Sequence, residues 1–174
     1  VNTRRHRGDV EAAVCGAPFN IPMQFRPSPI GLVAEAGGRI IAACCIGIFE
    51  DGKPRTNPTW EPCYNEMFAQ ATEMAKTADA KLEGSLFGDS REKATADRFA
   101  ATGNEYAQGQ LNLIIIMPEW QGKGLGRKLI DLARAELAKA GCTNFFLMSD
   151  CNADWQVYEH LTMKRNLEDH GQDP

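Results

Sequence analysis

Leu111-Asn112-Leu113-Ile114-Ile115-Ile116-Met117-Pro118-Glu119-Trp120-Gln121-Gly122-Lys123-Gly124-Leu125-Gly126-Arg127 is the stretch on which the reading of this chain turns. Its first six residues form a β-branched, nearly continuous apolar run, which predicts a strand covered on both faces. Pro118 ends that strand, because proline has no N–H to give a ladder. The glycine-rich turn Gln121–Gly126 follows directly. Arg127–Ala140 then sets Leu129, Ile130, Ala133 and Leu137 on one helical face, with Gly141 placed to cap the end. Strand, glycine turn, helix and a further strand over Asn144–Ser149 predict a βαβ-like unit of a mixed α/β domain.

A helix N-terminus leaves backbone N–H groups unpaired and carries a partial positive charge, so it suits a phosphate. Glycines let a ligand approach the backbone closely and accept positive φ where the turn needs it. Lys123, Arg127 and Lys128 add three cations within six residues of a chain whose formal net charge is -4. That local reversal of charge favours a polyanion. A purely structural glycine turn is the alternative. Two phosphate motifs fail on spacing. A P-loop needs Gly-Lys followed by Ser or Thr, which is absent here, and the dinucleotide fingerprint would need glycine at position 127 or 129, where Arg127 and Leu129 stand.

Outward from this segment, Gly31–Phe49 reads as a hairpin. Leu32–Glu35 and Arg39–Phe49 are its strands, and Gly37-Gly38 is the turn. Pro54, Pro58 and Pro62 mark an irregular loop after it. Met67, Ala71, Met74 and Ala78 recur at helical steps and predict a helix over Asn65–Glu83, with a second over about Ser90–Tyr106. Beyond the central unit, Trp155, Tyr158 and Leu161 give a short helix over Asp154–Leu161.

The 174 residues are the size of one domain, and 24% charged with 43% hydrophobic residues argues against disorder and fibrous classes. The acidic balance gives no global attraction for nucleic acid. The longest apolar run, Ile40–Phe49, is too short to span a bilayer, and the start, with Arg4, Arg5, His6 and Arg7, shows no signal-peptide pattern. No partner of either kind, nucleic acid or membrane, is expected. Cys15, Cys44, Cys45, Cys63, Cys142 and Cys151 form no C-x-x-C pair, so no metal site is expected and reduced thiols in a cytoplasmic protein are the simplest reading. Cys44 and Cys45, adjacent in a strand, are expected on opposite faces. His6, His160 and His170 have no ligand or triad spacing.

Gln121-Gly122-Lys123-Gly124-Leu125-Gly126 fits the acyl-CoA signature Q/R-x-x-G-x-G/A, and here the chain resembles the GNAT acetyltransferases. Ile116-Met117-Pro118 stands where that family has its V-x-P strand end, and Val157-Tyr158-Glu159-His160 matches its Phe/Leu-Tyr-Glu stretch. The hairpin resembles the family's second and third strands, with an enlarged helical insertion before Leu111. The likeness covers roughly residues 31–165, closely from Leu111 to Leu161. It implies a mixed, mostly antiparallel sheet flanked by helices, in a single domain with acetyl-CoA as co-substrate. The activity it implies is acetyl transfer to a primary amine.

Residue by residue, the likeness implies that the backbone of Ile114, Ile115 and Ile116 pairs with the pantetheine arm. It assigns the pyrophosphate to Gln121, Gly122, Lys123, Gly124, Leu125, Gly126 and Arg127. Where the family often has an Asn seven residues before the Tyr, this chain has Cys151, with Asn152 next to it as substitute. Tyr158 is the candidate general acid, with core packing as its alternative role. The general base is poorly marked: Glu105, Gln110 and Asp150 are conceivable neighbours of an acceptor amine, with an ordinary surface or strand-end role as the alternative for each, and a water chain is another route. Thr162-Met163 replaces the family's Gly-Phe pair, and Met163–Pro174 leaves room for one short strand, so the sheet is expected to be shortened or completed by a second copy in a homodimer. Two other classes fit the sequence: an acyl-CoA-binding module without turnover, and a plain α/β interaction domain.

Overall fold

Gly37 and Gly38 both take positive φ, 58° and 74°, and so reverse the chain in the two-residue turn whose twist suits flanking strands. Around them, in a computed structural model that describes residues 22–77, 94–149, 156–161 and 163–164, run β1 (Ile30–Ala36) and β2 (Arg39–Glu50), paired antiparallel. A two-residue β3 (Lys53–Pro54) folds back on the end of β2. Helix α1 (Glu61–Ala75) follows a 3-10 turn at Pro58–Trp60. It begins before the expected Asn65 because Pro62 lies in its first turn, where a missing N–H costs nothing. It ends at Ala75, short of the expected Glu83, and residues 78–83 lie outside the described part. A second helical stretch covers residues 94–101 and stops before Gly103, whose φ is 72°, so the helix expected to reach Tyr106 is shorter.

The central unit continues with β4 (Gly109–Ile116), α2 (Leu125–Lys139), β5 (Phe146–Leu147) and α3 (Gln156–His160). The strand order β1-β2-β4-β5 is antiparallel except for the last pair, β4 with β5. The fold is thus a mixed α/β arrangement with a mostly antiparallel sheet flanked by helices. Strand β5 is shorter than the expected Asn144–Ser149, since its pairing stops at Leu147.

Helix α2 ends in a Schellman motif. Gly141, φ 85°, lets Cys142 N donate to Leu137 O at 2.9 Å and Gly141 N to Ala138 O at 3.0 Å. Its apolar stripe of Leu129, Ile130, Ala133 and Leu137 packs on Ala42, Cys44, Ile46, Ile48 and Leu111. Each buried Leu or Ile in that layer contributes about 1.5–3 kcal/mol. Gly109 permits the close approach, for a Cβ there would run into the Leu137 side chain. Alternation along β2 puts Cys44 in this layer and Cys45 on the opposite face, and both are buried, at 0% and 2% exposure. A smaller cluster under Phe49 joins Ala100, Ala107, Phe99 and Phe146, with the Phe99 and Phe146 rings 4.9 Å apart.

Candidate functional site

Strand β4 does not stay covered on both faces, as its apolar run predicts. Leu111 is buried, but Ile115 is 48% exposed. The edge of the strand changes over the same stretch. Strand β5 accompanies β4 only at Gln110–Phe146 and Leu111–Leu147, whereas β2 follows it up to Ile116. From Asn112 onward, the edge of β4 that faces away from β2 has no strand beside it among the described residues.

The hydrogen-bond alternation of an antiparallel ladder tells which backbone groups lie on that edge. Met117 N donates to Ile41 O at 2.9 Å. Given the register Ala42 to Ile116, Ala43 to Ile115 and Cys44 to Ile114, Ile115 turns its N–H and C=O toward Ala43. Ile114 and Ile116 turn theirs to the open edge. Of the three isoleucines named from sequence, two therefore present free-edge groups and one does not. Gln121 Nε2 donates to Ile116 O at 3.0 Å, which agrees with this direction and ties the glycine turn to the strand end.

Gly122 and Gly124 carry positive φ, 72° and 78°, and Gly124 is the N-cap of α2. The helix starts at Leu125, two residues before the expected Arg127, so Leu125 and Gly126 are first-turn residues rather than loop. Its first helical bond runs from Lys128 N to Gly124 O at 3.2 Å. The amides of Leu125, Gly126 and Arg127 precede that ladder, the N-cap contributes no side-chain bond, and the first turn holds no acidic residue. Lys123, Arg127 and Lys128 are all exposed or half-exposed around this end, with Lys123 Nζ 4.6 Å from the Trp120 ring centroid. Open space surrounds the Cα hydrogens of Gly122 and Gly124. A polyanion would find amides, a helix dipole and three cations together here.

Tyr158 comes to the core layer from α3. It packs against the layer that contains Cys44 and Ile114, and its carbonyl accepts from Leu161 N at 3.0 Å and Met163 N at 3.1 Å. Arg134 Nη2 on α2 donates to Leu161 O at 3.3 Å, which holds this turn to the core helix. Burial, and secondarily the neighbouring Cys44 thiol, raises the Tyr158 phenol above its ordinary value. Burial, together with Cys45, pushes Cys44 itself up to about 12. Both groups are thus neutral and protonated near pH 7.

Of the other residues singled out from sequence, Glu105 is exposed on a turn and Gln110 sits in the β4–β5 pair. His160 is exposed at the end of α3. Asn152, Asp150, Cys151 and Trp155 lie outside the described residues. Among the described residues no group of three His, Cys, Asp or Glu side chains could hold a metal ion, and no helix is long and apolar enough to cross a membrane. Sequence reasoning did not single out Cys44 as a neighbour of Tyr158, nor Asn112. The polar Asn112 inside an apolar strand was the one signal that could have flagged it.

A family model described as the acetyltransferase (GNAT) family matches residues 7–162. No curated protein and no solved structure matches the chain.

Proposed function

The chain belongs to the GNAT acetyltransferase family, and from that premise we propose that it transfers the acetyl group of acetyl-CoA to a primary amine. The family supports acyl transfer in general. The observation that carries the finer reading is the continuity of two features: an open strand edge at Ile114 and Ile116 leads into an uncapped, cation-flanked helix N-terminus. A thioester on an extended, amide-containing arm that ends in a pyrophosphate has the matching shape. The arm adds to the strand edge as a further strand does, and the pyrophosphate lies at Gly122–Arg127.

In this reading the amine attacks the thioester carbonyl, a C–N bond forms and the C–S bond breaks. The departing thiolate takes the Tyr158 proton. The amine's excess proton leaves through water or through Glu105 or Asp150, and Tyr158 recovers a proton from solvent before the next turnover. Burial raises the Tyr158 pKa and so keeps the phenol in the protonated form that a donor needs, while the position beside the core layer supports the role. Positioning supplies the rest of the rate. The four described cysteines, all free, are compatible with a reducing compartment such as the cytoplasm.

Release of free thiol from acetyl-CoA in the presence of a panel of primary amines tests the proposal. Release stimulated by at least one amine, with acetylated product formed in equal amount, is expected. Bound acetyl-CoA with no stimulated release by any amine would instead support a binding module.

A further inference from the structure

The acetyl-transfer reading, on which this inference rests, uses the open edge of β4 but not the feature that opens it. Cys45 pairs with Leu113 and Ile46 with Leu111, so Asn112 is an extra residue without a partner on β2. Such a bulge bends its strand and increases the local twist. Pairing with β5 ends at Leu111, immediately before it.

A bulge is one surplus residue, and nothing in a run of isoleucines fixes where the surplus sits. Moving it toward the strand end by three positions, to Ile115, would shift Leu113 and Ile114 by one place against β2, opposite Cys44 and Ala43. Side-chain faces and backbone directions both reverse with a one-residue slip. Ile114 would then turn its N–H and C=O to β2.

The side chain of Asn112 prevents this. Its Nδ2 donates to Ser28 Oγ at 2.8 Å and to Pro27 O at 3.2 Å. Ser28 is 5% exposed, and its hydroxyl donates onward to Gln24 O at 2.6 Å. Gly47 on β2 makes the room, for a Cβ there would stand 2.9 Å from both Asn112 Nδ2 and Pro27 O. The 22–28 segment is anchored in turn. Asn57 N donates to Arg26 O at 2.7 Å, and the Arg26 guanidinium binds the Glu61 carboxylate of α1 at 2.7 and 3.1 Å.

We propose that Asn112 is a positioning residue for acyl transfer: its clamp on Ser28 and Pro27 fixes the bulge, and with it the backbone groups that β4 offers to the acyl arm. It acts on the strand edge and not on the phosphate loop, so two probes separate its effect from general damage. Acetyl-CoA uses edge and loop, whereas adenosine 3′,5′-bisphosphate uses only the loop.

Calorimetric titration of both probes into wild type, Asn112→Leu, Ser28→Ala, Ser28→Thr and Gly47→Ala is the test, with melting temperatures alongside. Asn112→Leu and Gly47→Ala are expected to weaken acetyl-CoA binding about tenfold, as loss of one or two well-placed hydrogen bonds does, and to leave bisphosphate affinity within about twofold. Ser28→Ala should show a smaller shift in the same direction, and Ser28→Thr, which keeps the hydroxyl, should restore it. If Asn112→Leu fails to fold, Ser28→Ala against Ser28→Thr decides. Equal losses for both probes, or unchanged acetyl-CoA affinity with a lowered melting temperature, would overturn the positioning role and leave a purely structural clamp. A wild-type protein that binds no acetyl-CoA would overturn the acetyl-transfer reading, and this inference with it.

Discussion

Gly109–Leu111 and Ile114–Ile116 are the two ends of one strand, yet their surroundings differ. The first end has a strand on either side and the α2 stripe over it, with Leu111 in the core. The second has β2 on one side only, and Ile115 stands half in solvent. Apolar side chains at the first end build the fold. At the second, the backbone is the part left available for chemistry, and the side chains matter mainly for where they send it. An apolar run therefore does not by itself signal a strand covered on both faces; what packs over each face decides, since Ile114 and Ile116 meet the core while Ile115 between them does not.

The largest expected effect tests this division directly. Leu111→Ala should cost about 2–5 kcal/mol, as truncation in a packed core does. Ile115→Ala, four residues on, should cost about 1 kcal/mol or less, because half of that side chain is already wet. Denaturant unfolding of both variants makes the comparison, and equal losses would mean that the open end is covered after all.

Tyr158→Phe comes next. It keeps the ring against the core layer beside Cys44 but removes the proton donor, so kcat should fall about 10²-fold, the lower end of general-acid contributions, with melting temperature and acetyl-CoA affinity nearly unchanged. Since the donor must be protonated and its pKa is raised, the wild-type rate should hold up to the ordinary tyrosine value near 10 and fall only above it. The variant should lack that alkaline limb. Near-normal turnover in Tyr158→Phe would leave the residue a packing role only.

A smaller effect is expected in the glycine turn. Gly124→Val places a β-branched residue at φ 78°, where it is strained, and covers the exposed amides. Gly38→Val imposes similar strain at φ 74° far from the loop in sequence and on the hairpin tip. Both should lower the melting temperature, but only Gly124→Val should weaken acetyl-CoA binding, by about tenfold, the scale of one charge-assisted hydrogen bond. Matching affinities in the two variants would detach the loop from the ligand.

What could be read from sequence was local. The Gly37-Gly38 turn, the α2 stripe with Gly141 behind it, and the cations around Gly122–Gly126 all declare themselves within a few residues. Pro62 misled, because a proline in a first helical turn looks the same in sequence as one in a loop. Leu125 and Gly126 misled for a related reason, since a glycine-rich first turn resembles the loop before it. The bulge at Asn112 and the exposure of Ile115 were out of reach, as each is a relation between strands. The approach of Tyr158 to Cys44 joins residues more than a hundred positions apart, and no periodicity encodes it.

If β4's open edge and the glycine turn beyond it bind one ligand together, the two halves of that ligand should differ in affinity. Calorimetric titration of the wild-type protein with acetyl-CoA and, separately, with adenosine 3′,5′-bisphosphate measures this most directly. Saturable binding of both is expected, with acetyl-CoA the tighter because it adds the strand-edge contacts of Ile114 and Ile116. No heat with acetyl-CoA at millimolar concentration, or equal affinity for the two ligands, would contradict a site shared between strand edge and turn.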